Sequence, residues 1–460
     1  MLRIIAFALG VVIAICPSLV RGAEVTELAS SFDEGDPFDF NLKVAYQRAH
    51  RWSSIKRELG GAAPDAIALV KELSFSRAED ILSVRAETAV WRDLQLHIEL
   101  PIVLSQQRNF SFAQNGGSAC GTPPETNCVT KNNSTLVRDG LLDGTKMTDG
   151  QIAVADSSGT PGGRLLPQRS GLDQLFAGIA WAPMNQTRDS SKPTWALGFE
   201  ARIAIGNVMK YDPTDPLANT AVGQGLHQFH FWTTVSRRYT YLDPWVNFYY
   251  LYPLATSNSL FTTTKFKGSG QKFSGPQHRG GVQVGLEIVP WERPEKNYKV
   301  TIELRGQFEG VFDGRGYSSM WELFANNPRL QGPCTPPTSK DNTNIIPWAN
   351  GTYCSSGTDT IPYPGITSIG SHLIIGGTLA VNVALTEFFK GRLGFNLGHE
   401  QEHMITVANA GWDRDGSDKI DENTTELNPL YRPMIDAPDR RFKVDNTVLF
   451  DFFVSVMALF

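Results

Sequence analysis

Charged side chains at alternate positions of otherwise apolar segments carry most of the chemistry in this chain. Arg85 and Glu87 stand two apart, as do His97 and Glu99, Glu200 and Arg202, and Glu303 and Arg305. Glu287, Glu309, Arg392 and Glu400 occupy equivalent places in further segments of the same kind. A period of two puts such residues on one face of a strand and the apolar ones on the other. If two strands meet around Trp91-Arg92-Asp93, Glu87 lies opposite His97 and Arg85 opposite Glu99. Mixed charges on a shared inner face can do two things. They can lock into an ion-pair lattice that holds a structure narrow. They can also set a transverse field along a passage for small solutes.

Two other clusters offer chemistry. His399-Glu400-Gln401-Glu402-His403 superficially resembles a zinc-peptidase helix motif, but it prolongs a strand pattern and sets both histidines at strand spacing on one face. It is the candidate centre for a rim enzyme near 399–421. No GxSxG motif accompanies it. Asp413, Asp415, Asp418 and Asp421 gather oxygen ligands around Gly416, as calcium loops do. The glycine comes early and Thr424 stands where a bidentate glutamate belongs, so a solvated acidic loop competes with a calcium site. Neither cluster compels a cofactor, and calcium is the one ion the residues suggest.

Alternation defines about twelve strands, near 38–48, 80–91, 93–105, 172–183, 193–206, 226–238, 241–254, 279–291, 297–312, 370–386, 388–402 and 446–460. Fourteen is the alternative, if 255–278 holds an added hairpin. Links after even-numbered strands are short. Links after odd-numbered strands are long, near 49–79, 106–171, 207–225, 255–278, 313–369 and 403–445. Within the first long link, Asp65 and the following apolar residues predict a short helix over 64–75. Trp91, Trp181, Tyr239, Tyr241, Trp245, Trp291, Phe388, Phe389 and Phe460 sit at or beside the short turns, where a membrane's headgroup layer favours aromatic rings.

Both termini sharpen the picture. Met1-Leu2-Arg3 and the apolar run Ile4 to Val20 read as an export leader over 1–22, cut after Gly22 or, nearby, after Ala23. A short segment, 23–36, precedes a barrel region spanning 37–460. Export into an oxidising compartment makes Cys120, Cys128, Cys334 and Cys354 candidates for disulfides. Three connectivities are open, and the local one closes the shortest loops. Zinc fails on spacing, since there is no CxxC and no histidine near either pair. The last thirteen residues alternate, with Val448, Phe450, Phe452, Val454, Val456, Ala458 and Phe460 on one face.

That ending resembles the final strand of Gram-negative outer-membrane β-barrels. The resemblance implies an all-β, antiparallel, up-and-down transmembrane barrel. It also implies outer-membrane lipids around the wall, long loops outside the cell and both termini in the periplasm. Phe460 would be part of the signal read by the barrel-insertion machinery. Composition agrees: 41% hydrophobic and 19% charged residues with 42 glycines suit a wall that is wet on one face. A net charge of −5 excludes the basic field of a nucleic-acid binder. A TonB-dependent transporter needs a longer chain, and no plug signature of a FadL-type transporter is visible. The expectation is a channel or transporter passing small solutes through a narrow charged lumen. A rim enzyme and an occluded structural or adhesive barrel are the alternatives.

Overall fold

The computed structural model describes residues 23–30, 39–60, 67–112, 129–142, 147–148, 151–152, 166–211, 217–262, 275–293, 298–325, 327–330, 332–333, 360–361, 363–386, 388–421, 426, 428 and 430–460. The four cysteines predicted to pair lie outside them, as does the predicted leader.

Twelve antiparallel strands form the wall: β1 Phe40–Gly60, β2 Ile67–Trp91, β3 Leu94–Phe112, β4 Gln174–Met184, β5 Thr194–Ala204, β6 Leu226–Ser236, β7 Leu242–Ala255, β8 Arg279–Arg293, β9 Tyr298–Val311, β10 His372–Ala384, β11 Phe389–Glu400 and β12 Phe442–Leu459. Each pairs with its sequence neighbours, and β1 pairs with β12, so the sheet closes. The seam ends on the chain terminus, where Phe40 and Phe460 exchange backbone N–H···O=C bonds of 2.9 and 3.1 Å. Closure removes the open edge that an apolar final strand would otherwise expose. Because β7 pairs directly with β8, the wall has no place for an added hairpin between them, and the count is twelve. Two short strands, Arg169–Leu172 and His403–Met404, extend the sheet against β3 and β12.

The outward face is apolar all the way round. Val84, Ile98, Ile179, Phe231, Phe248, Leu304, Ile375, Leu397 and Val456 are all exposed. Such a continuous band is stable only against lipid. The fold is therefore a transmembrane antiparallel β-barrel. Trp91, Trp181, Tyr239, Tyr241, Trp291, Phe388, Phe389 and Phe460 are exposed at the short-turn end. Trp245 departs from that belt and is buried. Its register partner is Gly285, and a Cβ there would lie 2.2 Å from the indole. The missing side chain makes room for the ring inside the wall.

The first long link differs from its predicted form. Residues 67–79 are strand, not helix, and β1 and β2 run 21 and 25 residues. The apolar spacing around Leu69, Val70 and Leu73 fits a helix locally. The ladder to β1 and β3 overrides it, because Leu73 and Phe75 pair with Phe112 and Phe110 and are buried there. With β3 and β12, these strands rise as one tall wall section, whereas β4, β5 and β6 have 11 residues each.

Chain segments from several long loops pack on the tall section. Leu136, Met320, Phe324, Leu330, Ile405 and Ile435 join Ile55, Leu73, Phe112 and Phe442 in one buried cluster. This cap has its own polar joints. Glu72 accepts from the Ser134 hydroxyl at 2.9 Å and the Thr135 N–H at 3.2 Å. Arg57 pairs with Asp139 at 2.7 Å and donates to the Thr135 hydroxyl at 2.8 Å and the Met434 carbonyl at 2.9 Å.

Candidate functional site

Strand alternation sets the inner face, and cross-strand register sets which inner groups meet. Arg85 lies opposite Glu99 and Glu87 opposite His97 across β2 and β3. Arg85 binds Glu87 at 2.6 Å and Glu99 at 3.3 Å. His97 does not turn to Glu87. It passes over Gly178 of β4, where a Cβ would fall 2.5 Å from its ring, and meets Glu200 of β5 at 3.1 Å. Arg202 reaches the other oxygen of Glu200 at 2.8 Å.

The opposite arc has a second row. Asp243, Glu287 and Glu303 stand side by side on β7, β8 and β9. Glu303 is held by Arg392 at 2.7 Å and Arg305 at 3.7 Å. Farther toward the long loops, Tyr249 donates to Glu309 at 2.6 Å, and Arg279 pairs with the same carboxylate at 3.3 Å. The interior thus carries short charged rows, most of whose acids meet a base.

At the long-loop end Glu400 binds Arg51 at 3.0 Å and His372 Nε2 at 3.1 Å. His403 Nε2 lies 3.7 Å from Glu400. This corrects the expected pairing of His399 with His403. The β11 strand ends at Glu400, so the two histidines do not share a strand face: His399 is exposed, while His403 is buried with His372. Each Nδ1 lies 2.9 Å from a backbone carbonyl, Gly370 for His372 and Gln401 for His403. The three ligand atoms lie within 4.8 Å of one another, a metal-sized group. The two rings stack at 3.7 Å and 11°. Arg51 already balances the carboxylate, so the arrangement suits an ion-pair joint better than a cation.

The acidic loop is also occupied by its own backbone. Asp413 accepts from the N–H groups of Gly416 and Asp418, each at 2.8 Å, and Asp415 from that of Ser417 at 2.9 Å. Asp421 uses its N–H on Glu426 at 3.0 Å. Asp418 has positive φ, 60°, at the tip.

The feature that the sequence pattern does not reveal is the segment 23–30. It lies across the lumen near the short turns. A 3₁₀ turn, Glu24–Thr26, is fixed by the Ala23 carbonyl, which accepts from Thr26 and Glu27. Glu24 N–H donates to Glu287 on β8 at 2.9 Å. The hydroxyls of Thr26 and Ser236, on β6, are 2.7 Å apart. Ala29 N–H donates to Gln95 on β3 at 2.8 Å. Lys390 on β11 pairs with Glu27 at 2.7 Å, and Lys299 on β9 lies 4.0 Å from Glu24. Residues 23–30 thus touch strands on several sides of the barrel. Lys390 was legible, since it shares the strand face of Arg392. The segment itself has no periodicity that would predict its place.

No protein-family model matches the chain, and no curated protein does. Solved structures similar to it include an outer membrane channel from Pseudomonas putida F1, at 9% identity over 92% of this chain and 95% of that one, with a TM-score of 0.37. The outer membrane protease OmpT from Escherichia coli is 8% identical over 92% and 97%, with a TM-score of 0.30. A Pseudomonas aeruginosa FadL homologue is 8% identical over 92% and 90%, with a TM-score of 0.31.

Proposed function

We propose that this chain is a channel of the bacterial outer membrane that passes small solutes and is closed at its short-turn end by its own N-terminal segment. The observation that carries this reading is the course of residues 23–30, which bond to β3, β6, β8, β9 and β11 from inside the lumen. Twelve strands enclose a backbone radius on the order of 12 Å. Side chains narrow it further, so small solutes fit and folded cargo does not. The mixed-charge rows around Glu200 and Glu303 present both signs to a polar solute. In this reading the short turns and termini face the periplasm and the long loops face outward.

The test is single-channel conductance of the refolded mature chain in a planar bilayer, beside a chain lacking 23–36. The expected result is rare openings for the full chain and a sustained, salt-dependent current for the shortened one. Two silent chains, both folded by heat-modifiable gel mobility, would refute the channel.

A further inference from the structure

Glu287 and Asp243 are the odd pair of the inner face. Glu287 is 0% and Asp243 1% exposed. They are register partners on β8 and β7. One oxygen of Glu287 and both oxygens of Asp243 have no hydrogen-bond partner among the described residues. Of the nearby cations, Arg305 and Arg392 bind Glu303 and Lys390 binds Glu27 and Glu24, while Lys299, 4.0 Å from Glu24, and Arg238, bound to Glu292, act on the pair without a hydrogen bond to it. Two buried carboxyl groups with no cation in hydrogen-bond contact are costly.

What does reach Glu287 is the start of the mature chain. The Glu24 N–H sits on its Oε1 at 2.9 Å. The nitrogen of Ala23 is one residue back, about 3.5 Å from that of Glu24 in extended backbone, and Ala23 has ψ 145° and is fully buried. The sequence predicts the leader cut at the Gly22–Ala23 bond. Hydrolysis of that bond by a leader peptidase consumes one water, leaves a carboxylate on Gly22 and frees an ammonium on Ala23.

We infer that Glu287 and Asp243 are the receptor for this α-ammonium, and that leader removal creates the cation that seats the N-terminal segment. The inference rests on the channel reading for its consequence: leader removal adds a cation that tightens the hold on the closed segment. The chemistry fits in number. An ammonium brings three donors, and the site leaves three carboxylate oxygens unmet. The alternative cut after Ala23 would make the Glu24 nitrogen itself the ammonium, on the same carboxylate. The Ala23 carbonyl, which holds the 3₁₀ turn, favours a chain that keeps Ala23.

The experiment uses the full mature protein isolated from its membrane. Intact mass gives the first residue. An amine-acetylating ester at pH 7 then labels the α-amine ahead of lysines, because its ordinary pKa is lower by about 2–3 units. The expected result is a start at Ala23 or Glu24, and α-amine labelling about tenfold slower in the folded barrel than in urea, a ratio equal to one pKa unit. Glu287→Gln should restore most of that rate, and Asp243→Asn part of it. A start elsewhere, labelling equally fast folded and unfolded, or a folded Glu287→Gln barrel that stays protected would each overturn the proposal. If Glu287→Gln does not fold, Asp243→Asn and the folded-against-urea comparison still decide. The readout is mass, not current, so it fails or succeeds independently of the conductance test.

Discussion

At the short-turn end of the barrel, residues 23–30 are held by hydrogen bonds and ion pairs to strand side chains, among them Glu24 to Glu287 and Glu27 to Lys390. At the long-loop end, loop segments are held by a buried apolar cluster that includes Leu136, Phe324, Leu330 and Ile435. The first closure consists of a few polar contacts that water can replace at modest cost. The second buries large side chains, and removing it would expose them all. In the proposed channel the part that opens is the first, and the loop packing at the second end is structural.

The largest effect should come from cutting into the cap. Phe324 is fully buried and packs its ring 5.6 Å from Phe442 of β12. Phe324→Ala is expected to cost about 3–5 kcal/mol, by cavity formation. Urea unfolding followed by gel mobility measures it. The short-turn end should keep its rare openings, so an equal rise in current would show that the two ends are coupled.

A smaller effect should appear with pH at the cap. Asp436 is buried beside Arg432, whose backbone N–H it accepts at 2.8 Å. Burial raises its carboxyl to about 7, ahead of the opposing pull of its hydrogen bonds and of Arg432 and Arg315. The folded cap therefore binds a proton that the unfolded chain has released. This contribution is fully present below about pH 4 and is lost as pH rises to about 7. It is of the order of 2–4 kcal/mol across that window. Protease protection of the cap from pH 4 to 8 should fall with rising pH, and Asp436→Asn should flatten the curve. An unchanged slope in the variant would assign the dependence to other groups.

The smallest effect should be at the gate. Lys390→Gln removes the 2.7 Å ion pair to Glu27. A loss of about 1.4 kcal/mol raises the open fraction about tenfold, readable as more frequent openings with unchanged unfolding. A loss of stability as large as that of Phe324→Ala would mean that the segment is part of the core after all.

Much of this was legible in the chain. Alternation in 94–104 and 448–460 gave β3 and β12 with their faces, because side-chain direction along a strand is a local property. The pairing of Arg85 with Glu99 and Glu87 with His97 followed from a link centred on Arg92; the structure reaches it with a two-residue turn, in which Asp93 takes a positive φ of 45°, and a register shift between Ala89 and Trp91. The tall ends of β1 and β2 were not legible, since helix and strand patterns coincide around Leu69 to Leu73 and only the neighbouring strands decide. Trp245 looked like a belt residue until Gly285 gave it room inside.

By itself, then, the sequence determined an even-numbered antiparallel barrel with an apolar outside and a charged inside. Each of those features depends on neighbours a few positions away. Tertiary structure alone decided which acid meets which base and what crosses the lumen. His97 meets Glu200 two strands away because Gly178 lies between them, and Glu24 meets Glu287 across 263 positions of sequence. Contacts at that range follow from closure of the whole wall, which no local pattern encodes.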